Sequence, residues 1–289
     1  MFLFLKFNLK ISICCLLIAV AVTCFAEKPK VVSLDTRVDG ILLQLADPGQ
    51  ILAIRESSRL PENSLLWKQA QAIPELSHNA GEEIYKMHPD YVYFGAWSDW
   101  STQRLLKRLG IHTERWGEPE SWEQLFAEIH LLGDQLEHQE RASLLVDAMQ
   151  QRLCALEQVT ATCPRKRAIY YVGSGSTKGQ KCIINEMIES AGMINIAAEI
   201  GMEGMGKLDV ESLVMLHPDV IIFTDYQKDT PTLSRQVLEH PVFDQLRDQI
   251  TVIELDYRKM NTPGMAYLDC VELMARAAYP EAFRDLCAK

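Results

Sequence analysis

Basic residues are in short supply: 29 Lys and Arg stand against 39 Asp and Glu in 289 residues, a formal charge of −10. That deficit argues against a general nucleic-acid binder, whose affinity for phosphates runs on surplus Lys and Arg. Long apolar runs are also rare. Ile11 to Val22 is one, and no other run approaches the roughly 20 residues that a bilayer span needs. The seven histidines form no HExxH pair, no GxSxG elbow occurs, and no Gly/Ser- or Pro-rich linker divides the chain. Neither a dedicated metal site nor a catalytic constellation is therefore expected. What remains, at 48% apolar and 24% charged residues, is globular.

Residues 1–26 read as a secretory signal. Lys6 and Lys10 form a positive start, Ile11 to Val22 an apolar stretch, and Cys24-Phe25-Ala26 a small-residue cleavage site. The expected cleavage follows Ala26, with lipidation at Cys24 the less favoured alternative. Removing the leader leaves 263 residues with 27 basic and 39 acidic side chains, a charge of −12. Five cysteines remain (Cys154, Cys163, Cys182, Cys270 and Cys287), an odd number that allows at most two disulfides in unspecified pairing.

An internal match at an offset of 129 residues organises the chain. Glu82-Glu-Ile-Tyr-Lys-Met-His-Pro-Asp90-Tyr-Val-Tyr-Phe94 aligns with Glu211-Ser-Leu-Val-Met-Leu-His-Pro-Asp219-Val-Ile-Ile-Phe223, with five of thirteen positions identical. Each copy reads as a short helix stopped by proline, followed by a buried strand. A single repeat at this distance means two similar lobes rather than a solenoid. His88 and His217 fall at the helix C-termini, where the dipole favours a cation, and Glu82 and Glu211 in the first turns, where it favours a carboxylate.

Around the repeat, strands at Val31–Leu34, Ile51–Ile54, Ile111–Trp116, Ala168–Val172 and Thr251–Leu255 alternate with helices at 39–46, Thr102–Leu109, Ile183–Ala191 and Leu233–Glu239. The expected fold is α/β: two Rossmann-like lobes with parallel sheets. Residues 27–136 make the N-terminal lobe, 137–160 a long rigid bridging helix and 161–289 the C-terminal lobe. Ser121 and Gln124 form a capping box ahead of a helix with Trp122, Leu125, Phe126, Ile129 and Leu132 on one face.

In parallel sheets, ligands bind beyond the carboxyl ends of the strands. Candidate ligand-binding residues are accordingly Thr36 and Arg37, Arg55 and Arg59, Trp97, Ser98 and Trp100, Ser174 and Ser176, Asp225 and Tyr226, and Tyr257 and Arg258. Gly173-Ser-Gly175-Ser-Thr-Lys178-Gly179 misses both the dinucleotide and the Walker A spacings and is expected only to turn sharply near a ligand. Gly201 to Gly206 reads as a flexible loop with Met205 as a soft contact. Aromatic rings, Arg and hydroxyls together suit a large, partly flat ligand with a polar rim.

Val31-Val-Ser-Leu34, the two Glu…His-Pro-Asp units, Leu109-Gly-Ile111 and His240-Pro-Val-Phe-Asp-Gln-Leu246 carry a resemblance across essentially the whole chain after the leader. It resembles the periplasmic substrate-binding proteins of ABC importers for cobalamin, ferric siderophores and haem, the class with a helical bridge between lobes. The resemblance implies a non-enzymatic, monomeric carrier without a cofactor, which captures an iron chelate or corrinoid and delivers it to an inner-membrane permease. It implies that Glu82 and Glu211 dock onto permease arginines, and that Met205 stands where relatives often have Trp. Arg37, Arg55, Arg59 and Arg258 could receive a siderophore, and Tyr226 or Tyr257 could be an axial haem ligand. A secreted α/β enzyme using the cleft, or a surface receptor or adhesin, is the alternative.

Overall fold

Asp35 decides where the first helix begins. Strand β1 (Val31–Leu34) ends against it, and its carboxylate accepts the backbone N–H groups of Arg37 and Val38, starting helix α1 at Thr36–Leu45. The apolar spacing alone predicts this helix from residue 39. The cap starts it three residues earlier and puts Thr36 and Arg37 on its first turn. The computed structural model describes residues 27–76, 81–172, 175–225 and 249–284. The leader, the helix expected at Leu233–Glu239 and the 240–246 motif lie outside the described residues.

The first lobe continues with β2 (Ile51–Arg55), a 3-10 turn at Glu56–Arg59, α2 (Trp67–Ala70) and β3 (Glu75–Leu76). It closes with α3 (Gly81–Met87), β4 (Tyr91–Gly95), α4 (Trp100–Arg108) and β5 (His112–Trp116). Its sheet runs β3-β2-β1-β4-β5, parallel throughout. Helix α5 (Trp122–Gln135) follows, with Ser121 Oγ accepting from the Gln124 N–H at 3.2 Å, and then the 22-residue α6 (Gln139–Thr160), about 33 Å long at 1.5 Å per residue.

The second lobe contains β6 (Arg167–Val172), β7 (Ser176–Lys178), α7 (Ile183–Ser190), β8 (Ile194–Asn195), α8 (Ile196–Glu199), β9 (Met205–Lys207) and α9 (Val210–Met215). After these come β10 (Val220–Asp225), β11 (Thr251–Asp256), α10 (Tyr257–Met260), α11 (Met265–Ala278) and α12 (Pro280–Arg284). Strands β11, β10, β6 and β8 are parallel, but β7 and β9 run antiparallel to their neighbours, so this sheet is mixed where a parallel one was expected. The reason lies in the two glycine-rich segments. Gly175 turns at φ +84°, where a Cβ would come within 2.4 Å of the Leu208 carbonyl, and Gly179 lies so close to Met202 that a Cβ would sit 1.9 Å from its carbonyl oxygen. The two segments pair with each other, Thr177 opposite Gly206, instead of forming separate loops.

The repeat has a mechanical meaning. Asp90 accepts the Lys30 N–H at 2.7 Å and donates its own N–H to the Lys30 carbonyl at 2.8 Å; Asp219 does the same with Arg167 at 2.7 and 2.8 Å. Each Asp thus clamps the start of the neighbouring central strand. His88 and His217 occupy the left-handed region at φ 51° and 47°, closing the helices before the buried Pro89 and Pro218. Both imidazoles are exposed.

Strand alternation then splits the interior. Val31 and Tyr93 in one sheet, and Ala168, Tyr170, Val220 and Ile222 in the other, face a single continuous core shared with Leu125, Ala142, Met149, Ile188, Leu268 and Val271. Their neighbours face outward into two separate clusters, Val32, Val92 and Phe94 with Ile84, and Ile169, Tyr171 and Ile221 with Leu213. The repeated helices α3 and α9 therefore cover the outer faces. Since α5, α6 and α11 belong to one core with both sheets, the lobes should unfold together. Met149→Ala, at a fully buried position on α6, should cost about 2–5 kcal/mol and leave a single transition, with tryptophan fluorescence and far-UV circular dichroism coincident in urea. Two separated transitions would show independent lobes.

Candidate interlobe binding site

The carboxyl ends of strands from both lobes border one cleft of about 600 Å³. Strand β1 pairs with β2 on one side and β4 on the other, so the loops after β1 and β4 part at the sheet's switch point, where α/β sheets hold ligands. From the first come Thr36 and Arg37; from the second, Trp97 and Ser98. Residues after β2 and β5 add Ser57, Asn63, Gly117 and Glu118. The second lobe contributes Tyr170, Lys178, Thr224, Tyr257 and Tyr267.

Arg115 fixes the β4 loop. Its guanidinium donates to the carbonyls of Gly95 at 2.6 Å and Ser98 at 2.9 Å, receives support from Gln103 Oε1 at 2.9 Å, and lies 3.9 Å over the Trp100 ring. Trp100 thereby braces the loop from behind, and Trp97, 92% exposed, projects into the cleft. On the opposite wall Tyr170 and Thr224 share a 2.6 Å hydroxyl hydrogen bond, and burial pushes the Tyr170 phenol well above its ordinary pKa. Asn261 donates to the Asn63 carbonyl at 3.1 Å and ties the two lobes at the cleft edge.

Charge is concentrated on a few groups. Burial opposes the charge of Arg37, but Tyr267, Asp35, Glu128 and Glu118 hold its guanidinium above its usual pKa, and it donates to the Gly117 carbonyl. Lys178 meets both oxygens of Glu118 at 2.5 Å, and Arg55 donates to the Leu34 carbonyl at 3.2 Å. No group of three or more His, Cys, Asp or Glu able to hold a metal is present among the described residues.

The sequence matches the periplasmic binding protein family over residues 31–247. The chain belongs to that family. A curated relative, the uncharacterized ABC transporter substrate-binding lipoprotein YvrC of Bacillus subtilis, is 22% identical over 280 residues, covering 91% of this chain and 84% of the relative. Among solved structures, a periplasmic heme binding protein from Pseudomonas aeruginosa aligns with a TM-score of 0.72 at 19% identity, covering 88% of this chain and 94% of that one. The periplasmic vitamin B12 binding protein BtuF of Vibrio cholerae aligns at 0.69 and 19%, covering 88% and 97%. An Fe3+-hydroxamate transport protein from Saccharomonospora viridis aligns at 0.68 and 20%, covering 88% and 94%. These likenesses establish the fold: this periplasmic binding protein has the bilobed α/β architecture. No described helix is long and apolar enough to cross a membrane.

Of the side chains singled out in the sequence, the cleft of this binding protein brings together Thr36, Arg37, Arg55, Trp97, Ser98 and Tyr257. Five others lie outside its lining. Arg59 reaches the Gln71 carbonyl, Trp100 stacks under Arg115, and Arg258 grips Asp256, with Nε 2.9 Å from Oδ1. Ser176 is held in the β7–β9 ribbon opposite Lys207, and Met205, 65% exposed, sits opposite Lys178 on the same ribbon. Ser174, Tyr226 and the Asp225 side chain are outside the described residues. Glu82 and Glu211 are exposed in the first turns of α3 and α9. Glu118 and Lys178 were missed; the signal was present in Glu118 lying two residues after a predicted strand and Lys178 lying in the glycine segment. Cys154, Cys163, Cys182 and Cys270 are free thiols.

Beneath the cleft, Asp39 is completely buried and accepts the Ser58 hydroxyl at 2.5 Å and the Arg55 N–H at 3.3 Å. It anchors the turn that carries Ser57. Burial pushes its carboxyl up to about 7, against the hydrogen bonds of Ser33 and Ser58. An unfolded Asp ionises near pH 4, so this group's contribution is fully present below that pH and is lost as pH rises to about 7. Asp39→Asn removes the titration. Its stability relative to the unmodified protein should therefore rise between pH 4 and pH 7 in chemical denaturation, and a pH-independent difference would refute the assignment.

Proposed function

We propose that this protein is the solute-capturing component of an ABC importer and that it carries an iron chelate, either siderophore or haem, or a corrinoid in the interlobe cleft. The observation that carries the reading is the cleft itself: a preformed space of about 600 Å³, shared by both lobes, whose lining includes an almost fully exposed indole together with Arg37, Arg55 and Lys178. An exposed tryptophan in a cleft offers a flat apolar surface to a flat partner. The lining carries three cations against two carboxylates, Asp35 and Glu118, a positive surplus in a chain of charge −10 that suits a solute with an anionic edge. Within the proposed class this favours an anionic iron chelate. The names of the structural relatives support the class: one is a heme binder, one a vitamin B12 binder and one belongs to an Fe3+-hydroxamate transport system.

The work is binding, without covalent chemistry. Among the described residues the cleft lining holds hydroxyls at Thr36, Ser57 and Ser98 with no His or Cys beside them, and its Lys178 and Glu118 are paired with each other. Residues 1–26 are expected to direct export and to be removed by cleavage after Ala26. The lipoprotein relative supports the alternative of a tether at Cys24. Glu82 and Glu211, exposed at matching positions of the two repeated helices, present a pair of carboxylates for permease docking, one on each lobe.

Titrating tryptophan fluorescence with haem, ferric siderophores and cobalamin identifies the solute. Trp97→Ala should weaken its binding about tenfold or more, and unchanged affinity would remove Trp97 from the site. The double variant Glu82→Lys/Glu211→Lys should abolish uptake by cells at unchanged solute affinity. Normal transport by that variant would rule out the docking role.

A further inference from the structure

The three cations of the cleft are held in different ways. Arg37 and Arg55 spend N–H groups on the backbone carbonyls of Gly117 and Leu34, and Arg37 Nε also lies 3.9 Å from the carboxylate of Asp35 in its own lobe. The Lys178 ammonium instead rests on a carboxylate, that of Glu118, which belongs to the other lobe and lies 60 residues away in sequence. The surroundings of Lys178 are rigid: its carbonyl accepts from Asn195 Nδ2 at 2.9 Å, and its strand is paired with β9. On the Glu118 side, the preceding carbonyl of Gly117 accepts from Arg37. The Glu118 carboxylate also lies in the field of Arg37, where it favours the charged guanidinium. Glu118 thus rests on a cation of the opposite lobe, within the longer-range field of Arg37.

The pair is half-open to solvent, with side-chain exposures of 20% for Lys178 and 37% for Glu118. Ion pairs this accessible are weak, so another anion can replace the carboxylate at little cost. We propose that Glu118 is the counter-ion of the empty cleft and a specificity-determining residue. A carboxylate or other anionic group on the solute takes its place on Lys178, while solutes lacking such a group leave the pair closed. The proposal rests on the cleft being the solute site, and it narrows the solutes to those with an anionic arm. The Glu118 carboxylate then discriminates by charge, repelling any anion that approaches without taking its place.

Citrate, a tricarboxylate without a flat face, is the probe, and isothermal titration calorimetry at fixed ionic strength is the measurement. Glu118→Gln keeps the shape of the side chain and removes its charge, and should bind citrate about tenfold more tightly than the unmodified protein. Glu118→Gln/Lys178→Met should lose that gain. Equal affinities in Glu118→Gln and the unmodified protein, a gain that survives in the double variant, or no citrate binding by any of the three would overturn the proposal. The panel of haem, siderophores and cobalamin decides the functional reading separately. A citrate gain with no bound panel member would sink that reading alone, and a bound panel member without the citrate gain would sink this one alone.

Discussion

The apolar core between the two sheets is the constraint on which the rest depends. Side chains from the inner face of each sheet and from helices α5, α6 and α11 form one continuous buried cluster. Burying each large side chain is worth roughly 1.5–3 kcal/mol, and removing the contacts of either lobe would expose the bridge helix as well. The lobes are consequently held at a set separation, and the cleft between their strand ends exists before any solute arrives. Asn261 bonded to Asn63, and Gln44 reaching the Pro263 carbonyl at 2.8 Å, add polar ties across the same junction.

On this frame the cleft is tuned by groups that never enter it. Arg115 gathers the carbonyls of the β4 loop, and Trp100 supports its guanidinium from the far side, so that Trp97 stands exposed in a defined place. Asp39 holds the turn after β2 from below. A fully exposed indole loses its value as a binding surface if its loop wanders, because ordering that loop would then oppose binding. The hydrogen bonds of Arg115 meet that ordering cost during folding.

The sequence made much of this legible for identifiable reasons. The His-Pro-Asp units announced two lobes because their geometry is local: a left-handed helix end, a proline, and an Asp reaching one neighbouring strand. The apolar runs Val31–Leu34 and Tyr91–Phe94 marked buried strands. Helix α11 was missed, although Leu268, Val271, Met274, Ala275 and Ala278 recur at helical spacing. The β7–β9 ribbon could not be read, since each half is a short glycine-rich stretch whose strand character comes only from the other. Trp100 and Arg258 looked like site residues because both follow strands, but each has a partner, Arg115 or Asp256, that turns it away from the cleft.

The sequence by itself determined the repeat, the central strands and the loops at their ends, because these follow from short-range spacing and capping, and its motifs carried the resemblance to the family. Tertiary structure alone decided which side chains meet. Strand pairing sets the direction of each residue, and β7 can direct Lys178 toward Glu118 only once β9 fixes its register and the shared core sets the distance between lobes. A charge pair 60 residues apart has no signature along the chain; it exists because two separately folded sheets are packed on the same helix.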